Sequence, residues 1–267
     1  MTARPEGAPC WADATFPDLE SAKSFYADLF GWTFEDGGDA AGHYTQASSD
    51  SGVAAGLAPP MSSVEGETPG SWTLYFATPD AAATAGTIGE HGGRVVTGPT
   101  EVGPYGTMAI AEDPDGIRFG LWQSGSHEGF ATINDEHGTY CWAEVDTRHP
   151  DHADAFFPEV FGYRVRKMQD DKMDYAVWSV GDGDPLLGRA ELTGDVFPAE
   201  MPPHVGICFA VDDCDRAVET TQRHGGDVTF GPQDSPFGRM ATLRDPQGAS
   251  FTVINVNRTV GEMPQFA

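Results

Sequence analysis

A carboxyl group set beside an indole ring loses hydration, so its pKa rises and it becomes suited to general acid or base chemistry near neutral pH. The chain writes that pairing twice, as "CWAD" at 10–13 and "CWAE" at 141–144. Residues two apart on a strand share a face. Asp13 therefore follows Trp11, and Glu144 and Asp146 follow Trp142, which makes Asp13 and Glu144 the candidate acid–base groups. The spacing is not specific, because a carboxylate that bonds a neighbouring strand or pairs with Arg118 or Arg239 would read identically. Nucleophilic chemistry has less support. Cys208 has no histidine at a telling position, and a thiol in an apolar strand is by default an inert core residue. "GDGD" at 181–184 is an acidic turn that repels phosphate, and no CxxC is present to suggest a zinc knuckle or a redox pair.

The elements that must position these groups are repeated. "CWADATFPDLESAKSFYADLFGW" (10–32) aligns without gaps to "CWAEVDTRHPDHADAFFPEVFGY" (141–163), an offset of 131 residues. "FATPDAAATAGTIGEHGG" (76–93) matches "FAVDDCDRAVETTQRHGG" (209–226), and "PYGTMAIAEDPDG" (104–116) matches "PFGRMATLRDPQG" (236–248), offsets of 133 and 132. A register held over so much chain is a duplication. The expected domains are 1–125 and 126–267, joined by a polar, glycine-bearing linker at 124–138.

Each half opens with a strand and then a helix. Asp18 is a plausible N-cap; Ala22, Phe25, Tyr26, Leu29 and Phe30 form one apolar stripe, and Gly31 suits a left-handed stop. Ala153, Phe156, Phe157, Val160 and Phe161 repeat the stripe before Gly162, with Pro158 expected to kink that helix. The order strand, helix, about three strands recurs four times, near 8–60, 70–123, 139–190 and 203–256. This is an α+β plan of four βαβββ modules, each pair forming an incomplete β-barrel around a cleft.

Composition limits the partners. The 267 residues carry 41 acidic and 15 basic side chains, a formal charge of −26. Such a field repels nucleic acid. No apolar run approaches the roughly 20 residues of a membrane-spanning helix, and the opening "MTARPEGAPCWADATF" lacks the apolar core of a signal peptide. The expectation is a cytoplasmic protein, monomer or homodimer, with no nucleic-acid or membrane partner. Four cysteines are too few for a disulfide scaffold.

The four modules, with the pairs "FYADLFGW"/"FFPEVFGY", "HGG"/"HGG" and "DPDG"/"DPQG", resemble the vicinal oxygen chelate superfamily of glyoxalases, bleomycin-resistance proteins and extradiol dioxygenases. More narrowly, the chain is similar to tandem two-domain glyoxalase/bleomycin-resistance-like proteins over about 8–256. The resemblance implies metal-ligand positions at Trp11, Thr73 and Gly120 in the first half and at Trp142, Gly206 and Thr252 in the second. None is a histidine or carboxylate, so no metal and no other cofactor is expected. A displaced site at Glu144, Glu191 and His204 is the alternative. His43, His91, His127, His137, His149, His152 and His224 fall in loops or helix ends and read as solvated.

Bulky rings beside small residues suggest a small-molecule pocket instead. Its expected lining is Trp11, Asp13, Thr73, Tyr75, Arg118, Gly120 and Trp122 in one cleft, and Trp142, Glu144, His204, Gly206, Cys208 and Thr252 in the other. The expected function is metal-independent binding of an aromatic or natural-product-like ligand. The alternatives are a lyase or isomerase using Glu144 or Asp13, and a scaffold whose tryptophans plug both clefts.

Overall fold

The computed structural model describes residues 4–60, 70–169, 173–193 and 201–267. Its first half runs β1 (Pro9–Thr15), α1 (Leu19–Phe30), β2 (Thr33–Asp36), β3 (Thr45–Ser49) and β4 (Gly52–Ala58). It continues with β5 (Trp72–Ala77), α2 (Ala81–Glu90), β6 (Arg94–Val102), β7 (Gly106–Glu112) and β8 (Arg118–Ser124). The second half repeats the order with β9 (Tyr140–Thr147), α3 (Pro150–Phe161), β10 (Tyr163–Lys167), β11 (Tyr175–Val180) and β12 (Leu187–Glu191). Then follow β13 (His204–Ala210), α4 (Cys214–Arg223), β14 (Asp227–Ser235), β15 (Gly238–Arg244) and β16 (Ser250–Asn255). These are the four βαβββ modules that the repeat predicts.

Within each half, the two modules join edge to edge. The strand orders are β2-β3-β4-β1-β5-β8-β7-β6 and β10-β11-β12-β9-β13-β16-β15-β14, so each half is one open eight-stranded sheet. The joints are antiparallel, β1 against β5 and β9 against β13. Alternation along β1 sends Cys10, Ala12 and Ala14 into the core, all nearly inaccessible, and turns Trp11 and Asp13 to the other face.

The apolar stripes of α1 and α3 are buried as their spacing predicts. Asp18 accepts from Ser21 N–H at the start of α1, and Gly31 and Gly162 end the two helices at φ 69° and 68°. Those angles suit glycine, because a Cβ there crowds the backbone. Pro158 lies inside α3 without ending it.

The two long helices lie on their own half and also reach the other sheet. α1 lays Phe30 against Phe209 of β13 at 5.2 Å and Tyr26 against Phe251 of β16 at 5.8 Å. α3 sets Phe161 on Phe76 of β5 at 5.2 Å and Phe157 on Phe119 of β8 at 5.4 Å. One apolar core therefore spans both halves, and each sheet turns its other face outward as a cleft wall.

The segment between the halves is more than a polar linker. Phe130 is buried and stacks on Tyr140 at 4.7 Å, and its N–H bonds the Cys10 carbonyl. Apolar packing outweighs the polar composition of its neighbours.

Candidate functional site

Both clefts are built on the same triad of strand positions. In the first, Trp11 Nε1–H donates to Tyr44 Oη at 2.7 Å, and Tyr44 Oη donates to Asp13 Oδ2 at 3.2 Å. In the second, Trp142 Nε1–H donates to Tyr175 Oη at 3.2 Å, and Tyr175 Oη donates to Glu144 Oε1 at 2.7 Å. The tyrosines are 131 residues apart, the same offset as the tryptophans, and the sequence reading passed over both. Each hydroxyl passes over a glycine on the intervening strand. A Cβ at Gly56 would lie 1.9 Å from Tyr44 Oη, and one at Gly188 would lie 2.2 Å from Tyr175 Oη.

Opposite these triads the clefts diverge. In the first, Tyr75 lies beside Trp11 and over Gly120, where an added Cβ would meet the Tyr75 ring at 2.1 Å. The Tyr75 hydroxyl gives Asp13 Oδ2 a further hydrogen bond at 3.2 Å. Gly120 therefore leaves no free space, contrary to expectation, because a neighbouring ring takes it. His127 closes the end of this cleft, 4.5 Å from Trp11 and 5.6 Å from Trp122, and its carbonyl accepts from Trp122 Nε1–H. It is no solvated histidine; burial depresses its pKa. Trp11 is only 3% exposed, and Tyr75 and Trp122 are also buried. Thr73, Arg118 and Asp13 are half-buried on the same face.

In the second cleft, Cys208 stands where Tyr75 does, and Thr252 where Gly120 does. Among the described residues, no ring packs on Trp142 from that side, and Trp142, Glu144, Gly206 and Thr252 are all partly exposed. Glu144 and Asp146 point the same way from β9, one opposite Gly206 and the other opposite His204. Burial raises both carboxyl pKa values. The Tyr175 and Trp142 donors oppose the shift at Glu144, whereas at Asp146 the charge of Glu144 adds to it and holds the carboxyl well above the usual range. The buried Cys208 thiol is also pushed up, by the Cys141 thiol and by burial, which suits an inert group.

His204 lies at the rim with Nε2 3.5 Å from Asp146 Oδ2, and its Nδ1 lies 3.1 Å from the Pro202 carbonyl. Glu191 does not join them. It pairs with Thr147, one residue beyond the Ala190–Asp146 pair, so it faces the opposite side of the sheet. The proposed triplet of Glu144, Glu191 and His204 therefore does not converge.

The six positions compared with metal-ligand sites hold two indoles, two glycines and two threonines. Transition metals in such sites call for imidazole or carboxylate donors, which these residues do not supply. Among the described residues, no three His, Cys, Asp or Glu side chains form a metal-binding group. Two hollows lie outside the second cleft, the first of them also bordered by Trp122. One of about 220 Å³ touches Arg4, Glu6, Gln123 and Glu128, and one of about 370 Å³ touches Asp28, His137, Asp213 and Arg216. Neither sets a raised carboxyl against an aromatic face.

Fold and cleft together define a protein of tandem βαβββ modules with one ring-filled sheet face and one whose tryptophan is partly exposed. The chain belongs to the Glyoxalase/Bleomycin resistance protein/Dioxygenase superfamily, whose family model matches residues 11–121 and 142–253. Among its relatives, the anthracycline biosynthesis protein DnrV of Streptomyces peucetius is 36% identical and covers 96% of each chain. The putative glyoxylase CFP32 of Mycobacterium bovis is 37% identical over 93% of this chain and 95% of that one. In structure, the 2,3-dioxygenase LapB of Pseudomonas sp. KL28 matches 99% of this chain and 95% of its own with a TM-score of 0.63 at 15% identity. The Mn(II)-bound glyoxalase of Novosphingobium aromaticivorans matches 97% and 87% with a TM-score of 0.59 at 16% identity. At those identities the likeness is one of fold. No helix among the described residues is long and apolar enough to cross a membrane.

Proposed function

We propose that the protein binds a planar aromatic, natural-product-like small molecule in its second cleft without a metal ion. The observation that carries this reading is the partly exposed Trp142 beside Glu144, with Gly206, Cys208 and Thr252 where the first cleft holds Thr73, Tyr75 and Gly120. An indole face adds roughly 0.5–1.5 kcal/mol of ring–ring attraction to the gain from area burial. Glu144 supplies a polar handle two residues along the same strand. The relative named for anthracycline biosynthesis supports a natural-product ligand.

The test is titration of wild type and variants with planar aromatic compounds, read by calorimetry and tryptophan quenching. Trp142→Ala is expected to weaken binding more than tenfold, about 1.4 kcal/mol, with Trp11→Ala leaving affinity unchanged in whatever fraction folds. Chelator should leave both affinity and melting temperature where they were, since a tightly held ion stabilises the fold by mass action. Equal binding by wild type and Trp142→Ala would move the site elsewhere.

A second reading rests on the raised Glu144 carboxyl: a lyase or isomerase of the same superfamily that uses Glu144 for proton transfer. Turnover lost in Glu144→Gln with ligand affinity kept would establish it over simple binding.

A further inference from the structure

Among the described residues, the acceptors gathered in the second cleft outnumber the donors that reach them. Nδ1 of His204 faces the Pro202 carbonyl at 3.1 Å. A carbonyl only accepts, so Nδ1 carries the ring proton and Nε2 presents a lone pair. That lone pair lies 3.5 Å from Asp146 Oδ2, which donates to it when the carboxyl is protonated and is a second acceptor when it is ionised. Burial lowers the His204 pKa and so favours this neutral ring. Among the described residues, Asp146 receives no hydrogen bond, and its side chain is only 15% exposed.

Glu144 lies two residues along the same face, about 7 Å away at the backbone. Tyr175 satisfies its Oε1, leaving Oε2 as the third acceptor. Other titratable groups do not supply the missing donor. On β11, Tyr175 is engaged with Glu144; on β13, Cys208 is a neutral thiol beside Cys141. On β10, Arg166 lies in the same cross-strand row as Glu144, beyond Val177 and Gly188. Among the described residues it forms no ion pair with either carboxylate, and its Nε is buried without a hydrogen-bond partner.

Resting on the ligand-binding reading above, we infer that Glu144, Asp146 and His204 form a subsite for a protonated amine carried by the aromatic ligand. An ammonium group brings three donors and a positive charge, matching two carboxylates and one imidazole lone pair. Its charge offsets the cost of ionising two carboxyls in a poorly hydrated cleft. Trp142 on the same face adds cation–π attraction. The formal charge of −26 draws cations toward the whole molecule.

The test uses three probes that share one ring system: 9-(aminomethyl)anthracene, its N-acetyl derivative and anthracene-9-carboxylate. Wild type is expected to bind the amine at least tenfold tighter than the acetamide, and the carboxylate more weakly than either. Glu144→Gln and Asp146→Asn should each shrink the ratio of amine to acetamide affinity toward one. Amine affinity should fall on acidification from pH 8 to pH 5, as protons compete for the carboxylates, with acetamide affinity flat. Equal binding of amine and acetamide, both still dependent on Trp142, would overturn the ammonium subsite and leave the cleft reading standing. Failure of every probe to bind wild type would overturn both. Stoichiometric retention of added Mn(II) or Zn(II) that displaces the amine would make the three acceptors a metal site and overturn the inference.

Discussion

The two halves use the same framework for opposite purposes. In both, a tryptophan, a tyrosine and a carboxyl are linked across an intervening strand by hydrogen bonds. The first half adds Tyr75 over Gly120 and so completes a packed, buried cluster. The second replaces that pair with Cys208 and Thr252 and leaves Trp142 partly exposed. One ring, and the glycine that admits it, separate a filled cleft from one whose tryptophan stays partly exposed. A second contrast lies in the twin turns. Asp113 and Asp245 each accept backbone N–H bonds from the residues two and four positions on. Tyr26 of α1 also donates to Asp245 Oδ2, whereas Asp113 Oδ2 is buried without a partner. The residue matching Tyr26 in α3 is Phe157, which has no hydroxyl.

The largest effect should come from Trp11→Ala, which empties a packed cluster and is expected to cost about 3–5 kcal/mol of stability. Trp142→Ala should cost clearly less, because its ring is partly exposed. Denaturant titration measures both, and equal losses would mean that the second cleft is as filled as the first. Next comes the transplant Cys208→Tyr with Thr252→Gly, which writes the first cleft's filling into the second. Binding of planar aromatic ligands should fall more than tenfold, about 1.4 kcal/mol, with cooperative unfolding retained.

A smaller gain, about 1 kcal/mol for one added buried hydrogen bond, is expected from Phe157→Tyr. Asp113 is raised to about 6, chiefly by burial, against about 3.9 in an unfolded chain. Between those values the native state holds more protons, so this group's contribution to stability declines as pH rises from about 4 to about 6. A hydroxyl donated to Oδ2 favours the carboxylate, so in Phe157→Tyr that decline should flatten. A lower melting temperature with an unchanged pH profile would show that the two turns do not match. The smallest effect should be that of Asp146→Asn. The raised Asp146 carboxyl likewise weakens the fold once pH passes its unfolded value. The amide should therefore stabilise the protein at pH 8 and make little difference at pH 4, as measured by thermal unfolding at the two pH values.

The local rules of the chain were enough for a good deal of this. A register held at offsets of 131 to 133 residues establishes the duplication, because only common descent keeps so many matches in step. Period-3.6 stripes ending in glycine place α1 and α3, since burial of one helical face and the left-handed stop are both short-range effects. Period-two alternation puts Trp11 and Asp13, and Trp142, Glu144 and Asp146, on cleft faces. It also shows that the usual ligand positions hold no donor.

What the tertiary structure alone decided are contacts between elements distant in sequence. Tyr44 and Tyr175 reach Asp13 and Glu144 across an intervening strand, which no spacing along the chain encodes. The ring of Tyr75 fills the space over Gly120 because parallel β5 and β8 bring them side by side. Glu191 turns away from Glu144 through a one-residue difference in β12 register. His127 and Phe130 sit in polar sequence yet pack on rings of β1 and β9. The bridging of both sheets by α1 and α3 is likewise invisible locally, since an amphipathic stripe specifies that a face be buried but not which sheets bury it.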